Sequence, residues 1–142
     1  PHVTVWWSQG AQPAQLLATK EVVMATAWNG RIYDMQQEGV PVSIVWKGGQ
    51  IGGDVWSIPK GAKNKELAML FIAWATLPEN NVRMTQYISY APANMKSFEL
   101  IPEKMRPYLP SAYINEQVTL NDVWWVANLD RVNQMWREWK RK

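Results

Sequence analysis

Three residues stand where their chemistry could serve a ligand. Trp28 ends an apolar run, 22–28, and is followed by Asn29-Gly30. In open α/β sheets the ligand crevice lies outside the carboxyl ends of the strands, so a tryptophan there can line a pocket as readily as fill a core. Asp54 follows a glycine pair at the start of the apolar stretch 55–58. A carboxylate so placed can anchor an ammonium or hydroxyl group, or cap a turn. Tyr90, in the turn Ser89-Tyr90-Ala91-Pro92, is a similar case. No Asp/Glu pair falls on one predicted face beside a pocket signal. Glu99 and Glu103 share a helical spacing in a charged stretch and are read as solvated.

Catalytic and metal chemistry have little to build on. The 142 residues hold no cysteine and a single histidine, His2. That leaves no thiol nucleophile, thiolate metal site or disulfide framework, and almost nothing for a histidine triad. The run Gly48-Gly49-Gln50-Ile51-Gly52-Gly53 lacks both GxGxxG and GK[ST], and it joins two predicted strands, so no helix N-terminus faces it. No catalytic residue, metal or cofactor is expected. The net charge of +3 owes much to Lys140, Arg141 and Lys142, read as a solvated helix end. Without them the chain is near neutral, with no basic stripe for nucleic acid. No apolar run is long enough to span a membrane.

The elements that must position these residues fall into two sets. Residues 3–7, 22–28 and 41–46 are β-branched, aromatic or apolar and read as strands. Between them, Pro13 opens a short helix, and a second helix at 31–38 stops at Gly39. This alternation predicts parallel βαβ units. A short strand at 54–58 ends at Pro59. From there the chain turns helical. Leu67, Leu70, Phe71, Trp74 and Leu77 form one helical stripe, stopped by Pro78. A helix over about 79–88 follows, then short helices and loops over 94–113. Asn121 or Asp122 can cap a last helix whose stripe is Trp125, Leu129, Val132, Trp136 and Trp139. The domain division is thus 1–58, α/β, and 59–142, mostly helical. The helical part has no sheet of its own to pack on. The chain opens at Pro1, almost directly in the run Val3–Trp7, and is read as a mature or truncated product without a signal peptide.

Trp28-Asn29-Gly30, then Asp54-Val55-Trp56-Ser57-Ile58-Pro59-Lys60-Gly61-Ala62-Lys63-Asn64, then Leu77-Pro78-Glu79-Asn80 and Tyr90-Ala91-Pro92-Ala93-Asn94 occur in one order. With Asn121-Asp122-Val123-Trp124-Trp125 at the last helix, this resembles the C-terminal part of bacterial ABC-importer solute-binding proteins of the spermidine/putrescine-binding family. The resemblance implies a periplasmic-binding-protein-like fold, two α/β lobes around a ligand cleft, of which this chain would be a fragment. Residues 1–58 would hold the later part of the second lobe and the crossover strand, and 59–142 helices that pack on the first lobe. It implies a periplasmic, non-enzymatic protein with three kinds of partner: a small amine-bearing, polyamine-like solute, a membrane permease, and either the N-terminal portion or a second copy by swapping. Carried over residue by residue, Trp28 stacks on the ligand, Asp54 takes an ammonium, Tyr90 lines the cleft, and Asp122 lies near a polar contact. Gly52 stands where the polyamine binders carry a second stacking tryptophan, which widens the pocket and leaves other amines or larger polar solutes open. The alternatives are a carbohydrate-binding module with exposed tryptophans and an α/β enzyme without a recognisable motif.

Overall fold

The computed structural model describes residues 2–141. Pro1 and Lys142, and with them the two ends of the predicted segments, lie outside the described residues. Helix α1 (Gln12–Ala18) carries Pro13 in its first turn, where a missing N–H costs nothing. Thr19 closes it by donating its hydroxyl to the Gln15 carbonyl at 3.0 Å. Helix α2 (Asn29–Gln37) starts where Trp28 leaves the extended conformation (φ −75°, ψ 128°). It ends at Gly39, whose φ of 81° is the left-handed geometry that glycine adopts without a Cβ clash. Ile32 and Met35 form its buried side, and α1 packs beside it.

The strands expected at 3–7, 22–28, 41–46 and 54–58 are not formed as ladders. Among the described residues the sheet is one parallel pair, β1 (Gln50–Ile51) and β2 (Val118–Thr119), in register Gln50 with Val118 and Ile51 with Thr119. The physical reason is that a parallel ladder is non-local: each strand needs a neighbour brought from elsewhere. The side-chain pattern of a strand survives nonetheless. Val42, Ile44 and Trp46 are half-buried while Pro41, Ser43 and Val45 face solvent, the period of two. Residues 3–7 and 22–28 are joined by a side-chain bond, Trp7 Nε1–H to Thr26 Oγ1 at 3.0 Å.

Helices α3 (Lys65–Ala75) and α5 (Asp122–Lys140) fall where their apolar stripes place them. Asn121 caps α5, its side-chain oxygen accepting the Trp124 N–H at 3.0 Å. The helix expected over 79–88 divides into α4 (Pro78–Asn81) and a 3₁₀ turn over Val82–Gln86. Three further 3₁₀ turns cover Met95–Leu100, Glu103–Tyr108 and Pro110–Glu116, as Pro102, Pro107 and Pro110 suggest. The core is small: Val82, Ile101 and Leu109, with Phe98 and Met105 against them. Neither α3 nor α5 buries a residue. Leu67, Leu70 and Trp74 are 66%, 68% and 53% exposed, while Trp125 is half-buried. The two ends of the described chain meet through Trp6, whose ring stands edge-on to Trp136 at 4.8 Å and to Trp139 at 5.4 Å.

Candidate functional site

The first turn of α2 organises the site. Trp28 caps the helix, and its indole lies on the backbone of Gly10: a Cβ there would fall within 2.9 Å of Cζ3, Cε3 and Cη2 of the ring. Trp7 stands edge-on to Trp28 at 6.2 Å. The next residue, Asn29, donates its side-chain amide to the Ser89 carbonyl and so latches α2 to the 88–90 turn. Gly30 then receives the Tyr90 ring, since a Cβ there would stand 2.8 Å from Tyr90 Cε1 and 2.7 Å from Ile88 Cγ1. Thr85, fully buried, donates to the Tyr90 carbonyl at 3.1 Å and fixes the turn from behind. Ser89 is buried as well, and its hydroxyl has no partner among the described residues.

Tyr90 also reports the charges around it. Burial raises its phenol above the ordinary tyrosine range. The Arg31 guanidinium pulls it back, and the Asp54 and Asp34 carboxylates push it further up. One phenol therefore feels a cation from α2 and an anion from beyond β1. The sign for stability follows: with the folded pKa raised, this stabilising contribution is complete below the unfolded value of about 10 and disappears as pH rises through the folded value. A difference titration of parent against Tyr90→Phe should show one tyrosinate forming at higher pH than an ordinary tyrosine. Asp54→Asn should lower that step. A Tyr90 titration unaffected by Asp54→Asn would place Asp54 away from the phenol.

Gly52, Asp54 and Asp122 follow the two strands of the parallel pair. Beyond the paired residues, Leu120 N–H donates to the Ile51 carbonyl at 3.2 Å. Gly52 and Asp54 on one chain and Asp122 on the other thus leave the same carboxyl end of the sheet, the side on which α/β proteins place ligands. Gly52 has no atom within 4 Å of where its Cβ would be, so that wall is open. Asp122 sits in the first turn of α5, where the helix dipole suits its charge, and it is not among the charges that act on Tyr90. Trp28 and the Tyr90 ring thus meet the first turn of α2, Asp54 acts on the Tyr90 phenol through its charge, and Gly52 and Asp122 follow the paired residues of the two strands.

Two residues escape the sequence reading. Arg31 is the only Lys or Arg between Lys20 and Lys47, and it follows Trp28-Asn29-Gly30 directly. That isolation was the available signal. Gly10 gives none, because its role depends on a ring distant in sequence. Among the described residues no group of three or more His, Cys, Asp and Glu could hold a metal.

Residues 1–110 match the family described as bacterial extracellular solute-binding protein. The gamma-aminobutyric acid-binding protein of Pseudomonas aeruginosa is 37% identical over 136 residues, covering 94% of this chain and 39% of the relative. The spermidine/putrescine-binding periplasmic protein of Escherichia coli is 31% identical over 103 residues, covering 71% of this chain and 29% of the relative. Among solved structures, the Atu4243-GABA receptor superposes with a TM-score of 0.84 at 36% identity, over 95% of this chain and 42% of that one. The chain therefore spans 29–42% of the length of these relatives, and its fold is that of part of a periplasmic binding protein.

Proposed function

We propose a ligand-capture role for this chain, which belongs to the bacterial extracellular solute-binding protein family. In this proposal the chain is part of a two-lobed periplasmic protein. Residues 1–58 form one side of the cleft and the crossover, and residues 59–142 pack on the other lobe. Capture proceeds by lobe closure, without covalent chemistry, and closed protein delivers solute to an ABC permease. Trp28, Tyr90, Asp54, Gly52 and Asp122 line the cleft, joined by Arg31.

The ligand class is a small zwitterion, an amino acid whose ammonium and carboxylate lie at opposite ends. What supports this is the packing of the Tyr90 ring on Gly30, the residue before Arg31, together with the opposite charges that act on that phenol, Arg31 on one hand and Asp54 and Asp34 on the other. A carboxylate takes the Arg31 fork by charge-assisted hydrogen bonds, an ammonium takes Asp54, and the methylenes between lie on Trp28. The name of the Pseudomonas aeruginosa relative points to the same class. A diamine satisfies Asp54 but meets Arg31 with like charge, and Gly52 offers it no second aromatic wall. Calorimetry on the full-length protein tests this with three probes of similar length. γ-Aminobutyrate should bind most tightly, with putrescine and butyrate each weaker by at least about tenfold, since a charged hydrogen bond contributes about 1.5–3 kcal/mol. Equal affinity for γ-aminobutyrate and putrescine would contradict the zwitterion.

The exposed faces of α3 and α5 fit the same proposal. Apolar patches of this kind on a monomer mark interaction surfaces. The isolated 142-residue chain is expected to associate in light scattering, through Leu67, Leu70, Phe71 and Trp74. A monodisperse monomer whose tryptophans are protected from quenching would count against a second lobe on this face.

A further inference from the structure

We infer that Gly10 is a positioning residue that sets where the Trp28 ring stands in the cleft, an inference that rests on the ligand site proposed above. Trp28 is 55% exposed, so its ring is not held by a surrounding core. Its position is fixed from two sides. The edge-on Trp7 indole bounds it at 6.2 Å, and Trp7 is itself tied by its N–H to Thr26 Oγ1 at 3.0 Å. The second boundary is the bare backbone of Gly10, which the outer six-membered ring touches.

The Gly10 loop cannot easily retreat. Gln12 N–H donates to the Gln9 carbonyl at 3.0 Å, and Ser8 N–H donates to Gln12 Oε1 at 3.2 Å, closing the turn that leads into α1. Pro13, buried, anchors the helix that follows. A methyl group at position 10 would therefore overlap the indole from a tethered backbone, and the exposed ring is the part free to move. It would swing away from the loop, toward the open side. The residue at position 10 thus governs the depth of the aromatic wall without touching ligand. Glycine is required by this contact and not by backbone conformation, since Gly10 does not carry a positive φ.

The test uses the full-length protein, γ-aminobutyrate as probe, and calorimetry beside indole ¹⁵N–¹H spectra. Trp28→Ala should weaken binding about 5- to 150-fold, the worth of its contact area and cation–π attraction. Gly10→Ala should weaken it about tenfold, because a displaced wall no longer matches the bound geometry. In a Trp28→Ala background Gly10→Ala should have no further effect. In a Trp28→Phe background its effect should shrink, because phenylalanine lacks the overlapping outer ring. The Trp28 indole resonance should move in Gly10→Ala without ligand. A Gly10→Ala protein that binds like the parent, or one equally weakened when Trp28 is already alanine, would overturn the inference. If Trp28→Ala itself binds like the parent, the ligand site is misplaced. The indole resonance then decides alone: a shifted signal supports positioning by Gly10, and an unmoved one refutes it.

Discussion

Asp54→Ala should lower the affinity of the full-length protein for γ-aminobutyrate by about 2–5 kcal/mol, roughly 30- to 5,000-fold. The magnitude comes from what remains. In the proposed closed state the ligand ammonium would be partly desolvated, and removing its carboxylate would leave a charge without a partner. Asp54 is exposed in this chain, so the cost belongs to the bound state and stability should change little. Asp54→Asn keeps a hydrogen-bond acceptor and should fall between parent and alanine. Calorimetry with matched thermal melts separates the two effects. If Asp54→Ala binds as tightly as the parent, Asp54 is a turn residue and the ammonium site lies elsewhere.

Arg31→Gln carries the second large effect and a sharper signature. It should weaken γ-aminobutyrate by a similar amount, about 2–5 kcal/mol, because the carboxylate then meets an uncharged amide. Putrescine has no carboxylate and is repelled by the guanidinium, so its affinity should rise in the same variant. Arg31→Lys keeps the charge but not the planar fork, and should recover only part of the loss. A change in ligand preference is the decisive outcome, since a merely structural arginine would weaken both ligands together. Competition of the two ligands on one preparation reads that ratio directly. Parallel losses would remove Arg31 from the site.

The helices were legible because their signals are local. Prolines at 13 and 78, the left-handed Gly39 and the Asn121 cap each act within a turn of where they stand. The stripes of α3 and α5 fixed their extents for the same reason. Strand character was legible as a pattern of alternation but not as a ladder, since a partner strand is not written in the segment that needs it. Trp28, Asp54 and Tyr90 were singled out one by one from their places after strands and in turns. Their relation to one another is implied only by the family resemblance; the structure shows that Gly30 admits the Tyr90 ring and that Arg31, Asp54 and Asp34 act on its phenol. Arg31 is hard to read from sequence because a lone cation forms no motif. Its influence on Tyr90 depends on the packing of that ring over the neighbouring glycine.

The most direct test is native mass spectrometry of the full-length protein purified from its own cells without added ligand. Binding proteins that close around their solute carry it through purification when affinity is high. The expected spectrum shows a bound small molecule that, on release, proves to be an amino acid with separated ammonium and carboxylate groups, absent from the Asp54→Ala and Arg31→Gln proteins. A neutral sugar, or a polyamine retained equally by the Arg31→Gln protein, would contradict the account.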